Sequence, residues 1–228
     1  MAGTKGPLDD NTASRAAVLG RIRKAQGQGG MSPSPPERQT VATYIDAHPR
    51  GPMAPVEDDV VARFRARAES MQSTCDEVAS WAEVPAAAAR YLAAHKLQPV
   101  GVVWPLIADL PWADAGIRVE AREARDPDLV GITGCFAAIA ETGTLMVASG
   151  PQTPGATSLL PETHIAVVPT SRIVKHMEEA WALARAELGQ LPRLVNFISG
   201  PSRTGDIDQT IVLGAHGPYR VHMILVRT

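Results

Sequence analysis

The chain has 228 residues, 45% of them hydrophobic and 20% charged, with a formal net charge of −2, enough for one large or two small domains with a proper core. No stretch approaches the ~18 consecutive apolar residues of a membrane helix, no apolar leader follows Met1, and no Lys/Arg block points to nucleic acid or a membrane surface. Cys75 and Cys135 are the only cysteines; alone they hold neither an iron–sulfur cluster nor a structural zinc, so no metal or bound cofactor is expected, and reduced thiols in the cytoplasm are.

Residues 1–56 hold 7 Pro and 7 Gly and read as an N-terminal arm. Val18, Leu19 and Ile22 give residues 14–24 the spacing of a short amphipathic helix, and the Gly- and Pro-rich stretch 27–36 reads as a linker. Residues 57–228 then alternate between helices and strands. A helix begins near Asp58 with Val60, Val61, Phe64, Ala68 and Met71 on one stripe. A strand is expected at 74–79, a helix from Val84 with Pro85 in its first turn, and strands at 99–104 and 117–121. The run HIAVVP at 164–169 is a further strand, feeding a helix over 171–188 that Gly189 and Pro192 stop. Strands at 194–199 and 220–226 complete an α/β fold, an open and mostly parallel sheet with helices on both faces.

Three clusters carry chemistry. Residues 129–161 contain one charged side chain, Glu141, inside GCFAAIAETGTLMVASG. A lone carboxylate in such surroundings is either desolvated or held by donors of the Thr142-Gly143-Thr144 turn, and either makes it a candidate acid, base or nucleophile. The plainer reading places it at an exposed turn between two strands, with Gly143 at positive φ. GPSRTGDIDQ, residues 200–209, follows a strand and reads as a turn opening a helix. There the backbone of Gly200 to Gly205, the hydroxyls of Ser202 and Thr204 and the guanidinium of Arg203 suit an anion. Helix capping, with Asp206 and Gln209 at capping-box spacing, is the competing reading and leaves Arg203 unexplained. GAHGP, residues 214–218, puts His216 in a loop near the sheet end, as a site residue or tied to a backbone carbonyl. His164 opens a strand, with a ligand role or a hydrogen-bonding role. Cys135 has no neighbour in sequence that would make it a nucleophile, and Ser158 has no GxSxG elbow. Arg203 and Glu141 are expected to converge on one small-ligand cavity.

AIAETGTL, SLLPETHIAVVP and NFISGPSRTGDIDQTIVLGAHGP, followed by RVHMILV, resemble the LUD-domain family of the lactate utilization protein C type. The likeness covers about 57–228, and LGRIRKA at 19–25 is similar to that family's N-terminal helix. The resemblance implies a three-layer, Rossmann-like, NagB/RpiA/CoA-transferase-like fold. It also implies a cluster-free subunit of an L-lactate-oxidising complex, with an iron–sulfur LUD protein and a cysteine-rich protein as partners that carry the clusters. On that reading Arg203, Ser202, Thr204 and the backbone of Gly200 and Gly205, with Thr144 and His164, hold a small carboxylate, and Glu141 and His216 flank it as acid/base groups. Two other readings stand beside it. One is an acyl- or CoA-transferase or cyclo-ligase whose nucleophile is Glu141. The other is a non-catalytic assembly module that docks through the arm.

Overall fold

A computed structural model describes residues 12–27, 32–207 and 210–228. Residues 1–51 and 52–228 are separate compact units. The first consists of α1 (Thr12–Ala25) and α2 (Pro35–Asp46), neither of which buries a residue. Helix α1 covers the helical segment expected at 14–24, but no apolar face of it is buried. Helix α2 starts inside the stretch read as linker, and the reason is local: Pro35 and Pro36 occupy the first helical positions, where the missing N–H costs nothing. Ser34 caps them in a reciprocal box with Glu37, the Ser34 N–H donating to Glu37 Oε2 at 2.7 Å.

The second unit runs α3 (Val60–Ser70), β1 (Thr74–Val78), α4 (Val84–Ala94), β2 (Val100–Val103), β3 (Arg118–Ala121), β4 (Val130–Thr133), β5 (Ala137–Ile139), β6 (Thr144–Ala148), β7 (Thr163–Pro169), β8 (Ile173–Val174), α5 (Met177–Leu188), β9 (Val195–Ile198), β10 (Arg203–Ile207), β11 (Thr210–Leu213) and β12 (Arg220–Val226). Six strands form a parallel sheet in the order β1-β12-β7-β4-β2-β3. Its inner members β4, β7 and β12 are buried almost throughout, which is why they read as unbroken apolar runs. Helix α4 lies against β1 and β12, and α3 against β1, so the α/β class and the mostly parallel sheet are as expected.

A second sheet, β8-β5-β6-β9, was not anticipated. Strand pleat divides its side chains between two cores. Ala138, Leu145 and Val147 join the main core, while Ala137, Ile139 and Met146 pack with Ala180 and Ala184 of α5. A strand buried on both faces shows no polar alternation, so β5 and β6 were hidden in the uncharged stretch 129–161.

Two further expectations are corrected. The helix read over 171–188 begins only at Met177, because Ile173 and Val174 pair in parallel with Ala138 and Ile139 as β8. The segment after Gly200 opens no helix. It forms the antiparallel hairpin β10–β11, with Arg203 opposite Leu213 and Thr204 opposite Val212. The anion-binding helix terminus expected there is therefore absent, and the Asp206 side chain and Gln209, read as capping groups, lie outside the described residues.

Two glycines fix how the small sheet meets α3. Gly143 (φ +68°) turns β5 into β6, and a Cβ on it would lie 2.3 Å from the Ala68 nitrogen. Gly200 (φ +85°) follows β9, and a Cβ there would lie 2.2 Å from the Met71 carbonyl oxygen. Both conformation and contact exclude a side chain.

Two histidines are buried near the amino ends of the parallel strands. His164 on β7 places Nε2 2.7 Å from Thr133 Oγ1, and its Nδ1 is buried with no partner. His222 on β12 places Nδ1 2.9 Å from Thr74 Oγ1 and stacks on Tyr91, with ring centroids 4.0 Å apart, while its Nε2 has no partner. Burial makes the imidazolium costly and pushes both down to about 4.

Gly143→Ala is expected to destabilise the unit by on the order of 3 kcal/mol or more, through left-handed strain plus backbone collision. Gly205→Ala, which meets nothing within 4 Å, is expected to stay within about 0.5 kcal/mol; equal urea midpoints for the two variants would contradict the packing described. For pH, the unfolded imidazoles take up protons as pH falls through 6.5 while the folded ones stay neutral to about 4. Stability should thus be flat above pH 6.5 and decline from there to pH 4, by up to about 3 kcal/mol per histidine. His222→Gln should flatten part of that slope in urea titrations between pH 7.5 and 4.5, and an unchanged slope would show that other groups set it.

Candidate functional site

One end of the small sheet holds two of the sequence-predicted residues, Glu141 and Thr144, and among the described residues no hydrogen bond or ion pair joins Glu141 to Arg203. The β5–β6 turn carries Glu141 there, held by its own N–H donating to the Lys175 carbonyl at 3.0 Å. Antiparallel pairing of β6 with β9 brings Thr144 beside Ser199, and their hydroxyls lie 2.6 Å apart. Thr144 also contacts the Thr142 hydroxyl at 2.7 Å, making a chain of three hydroxyls. The Glu141 cluster and the residue 200 cluster, some sixty positions apart, thus meet through a hydroxyl contact.

Glu141 Oε2 lies 3.1 Å from His176 Nδ1, and the two side chains are 30% and 8% exposed. His176 is the N-cap residue of α5. Residue spacing does not single it out, since 171–188 reads as one helix. The break at Ile173–Val174 turns it toward the β5–β6 turn. Lys175 beside it forms an ion pair with Asp58 at 2.8 Å, and that hydrogen bond holds the Asp58 carboxyl below its ordinary range. A carboxylate orienting an imidazole is an arrangement that can move a proton.

The remaining predicted residues divide. Arg203 is exposed at the start of β10, its Nη2 donating to the Met71 carbonyl at 2.7 Å. Gly200 packs on that same carbonyl. The loops close on one another through the backbone: the Ser202 N–H donates to Pro218 O at 2.8 Å and the Gly214 N–H to Ser202 O at 2.9 Å. Thr204 and Gly205 lie on β10. His216 stands exposed in the β11–β12 loop. His164 is fully buried, bonded to Thr133 and neutral, so the structure places it in the core and not on a ligand surface.

A cavity of about 480 Å3 opens elsewhere, at the carboxyl ends of β2, β4 and β7, with Cys135 and Arg172 in its wall. None of the residues predicted for the site lines it. Burial pushes the Cys135 thiol up to about 12, so it stays protonated and is a poor nucleophile. Among the described residues no group of three His, Cys, Asp or Glu side chains could hold a metal ion, and no helix is long and apolar enough to cross a membrane.

The LUD domain family matches residues 61–226. Lactate utilization protein C of Bacillus subtilis (strain 168) is 36% identical over 127 residues, 54% of this chain and 53% of that protein. Its counterpart in Exiguobacterium sp. is 40% identical over 118 residues, 50% of this chain and 51% of that protein. The chain spans about half the length of the curated relatives it matches. A crystal structure of a DUF162 family protein from Deinococcus radiodurans aligns with a TM-score of 0.55 and 26% identity, over 75% of this chain and 99% of that one. The family match runs from the first turn of α3 to the last residue of β12, taking in both sheets and the end at which Glu141 meets His176, and the chain belongs to the LUD domain family.

Proposed function

We propose that the chain serves lactate utilisation as a subunit of an assembly that oxidises L-lactate to pyruvate, with iron–sulfur clusters carried by an iron–sulfur LUD protein and a cysteine-rich protein. The role is supported by the likeness to proteins named lactate utilization protein C. The oxidation removes two electrons and two protons from the C2–OH carbon of lactate. The two electrons leave through the partners' clusters, the C2 proton is released on the partners' side, and this chain contributes binding and takes up the hydroxyl proton.

The small carboxylate is held where the β5–β6 turn meets the β9–β10 loop. The observation that carries this reading is the Thr144–Ser199 contact, which sets the hydroxyls of one cluster against the loop that leads into Arg203 at the start of β10. Arg203 spends one N–H on Met71, leaving the other donors of its guanidinium for an anion. Glu141 orients His176, and the pair takes up the hydroxyl proton of the substrate.

Arg203→Ala is expected to weaken pyruvate binding to the full chain at least tenfold, the effect of losing a charged hydrogen bond worth about 1.5–3 kcal/mol. Arg203→Lys, which keeps the charge and a donor for Met71, should recover part of it. Calorimetric titration of both variants decides: wild-type affinity in the alanine variant removes Arg203 from the site. The role itself is tested by mixing the purified partners with lactate and a dye acceptor, with and without this chain. Undiminished dye reduction in its absence would refute the role.

A further inference from the structure

The cavity at the carboxyl edge of the parallel sheet is used by none of the foregoing. Leu106, Ile107 and Leu110 follow β2, Gly134 and Cys135 follow β4, and Trp81 follows β1 on the far side. The chain leaves β2 toward β3 in one direction and β4 toward β7 in the other. The cavity therefore sits where the winding reverses, the crevice in which open parallel sheets collect ligands.

Size and charge say what would fit. Its volume, about 480 Å3, falls in the ~300–1,000 Å3 range of pockets that enclose drug-sized molecules, far more than a three-carbon acid occupies. The walls are largely aliphatic and aromatic. The one cation, Arg172, is already matched: its two terminal nitrogens donate to the two carboxylate oxygens of Glu187 at 2.7 and 2.9 Å. Asp109 at the rim is exposed and makes no ion pair among the described residues. The surplus charge is negative, so a carboxylate entering the cavity meets repulsion while a neutral or cationic group does not.

We propose that this cavity is a second ligand site, taking a mainly apolar, ring-bearing organic molecule that is neutral or cationic, and rejecting carboxylates. It is independent of the proposed lactate role, since it shares no residue with the Glu141 cluster.

Three probes of one shape test it on the full chain by calorimetry: 1-naphthylmethanol, 1-naphthylmethylammonium and 1-naphthoate. The alcohol and the ammonium should bind, and the naphthoate at least tenfold more weakly. Gly134→Leu adds bulk at a lining position, where a Cβ would make ordinary van der Waals contact with the Trp104 ring at 3.6 Å and the Val167 carbonyl oxygen at 4.0 Å; it should abolish binding of the alcohol. Asp109→Asn, at the exposed rim, should bring naphthoate to within about threefold of the alcohol and decides the matter if Gly134→Leu does not fold. Failure of the alcohol and ammonium to bind, naphthoate binding as tightly as the alcohol to the wild type, or an unaltered affinity in folded Gly134→Leu would each overturn the proposal.

Discussion

The small sheet is buried on both of its faces, and the positions of Glu141 and His176 follow from that. Ala138 and Leu145 face the main core while Ile139 and Met146 face α5, so a slip of one residue in the pairing of β5 with β6 would exchange the two sets. Neither set fits the other place, because the α5 side offers the small Ala180 and Ala184 as contacts. Register is thereby specified strongly, and the β5–β6 turn is delivered to one location with Gly143 pressed on the last turns of α3. Glu141 owes its position to this packing. Its lone charge in the uncharged stretch is a consequence of the stretch being interior on either side of the turn.

The parts of the fold that could be read directly are those in which one physical signal dominates. HIAVVP and RVHMILV are long apolar runs and form central strands β7 and β12. The helix with Phe64 and Ala68 inward declares itself by periodicity. The failures have equally definite causes. Strand β8 is two residues long and draws its existence from pairing with β5, which no local pattern reveals. The hairpin after Gly200 looks like a capped helix because Ser, Thr, Asp and Gly serve turns of both kinds. In α2 the signal was present, since Ser34 and Glu37 have the spacing of a capping box, but the adjacent prolines were read as breakers when they are starters.

The site divides along the same line. Glu141, Gly143 and Thr144 were legible because they are contiguous and stand out in composition. His176 was not, lying 35 positions away from its partner Glu141. The Thr144–Ser199 contact spans 55 positions and follows from the β6–β9 pairing. Interactions of that range belong to topology, and residue spacing carries no trace of them. Arg203 shows the converse. Its chemistry was evident from sequence, and its secondary-structure setting was not.

The apolar cavity and the Glu141–His176 pair occupy opposite ends of one two-stranded frame. Cys135 precedes β5 and Arg172 precedes β8, both at the cavity; Glu141 follows β5 and His176 follows β8. At about 3.3 Å per residue, four residues from Arg172 to His176 give a span of roughly 13 Å, beyond the ~8–10 Å over which exposed charges act in physiological salt. Charge at one end is thus weakly felt at the other through solvent. The frame is held by the β5–β8 pairing and by N–H groups of Ala140 and Glu141 donating to Val174 and Lys175 at 2.8 and 3.0 Å. The strands are packed on α5 on one face and on the main core on the other, so the pairing that carries Cys135 and Arg172 to one end fixes Glu141 and His176 at the other.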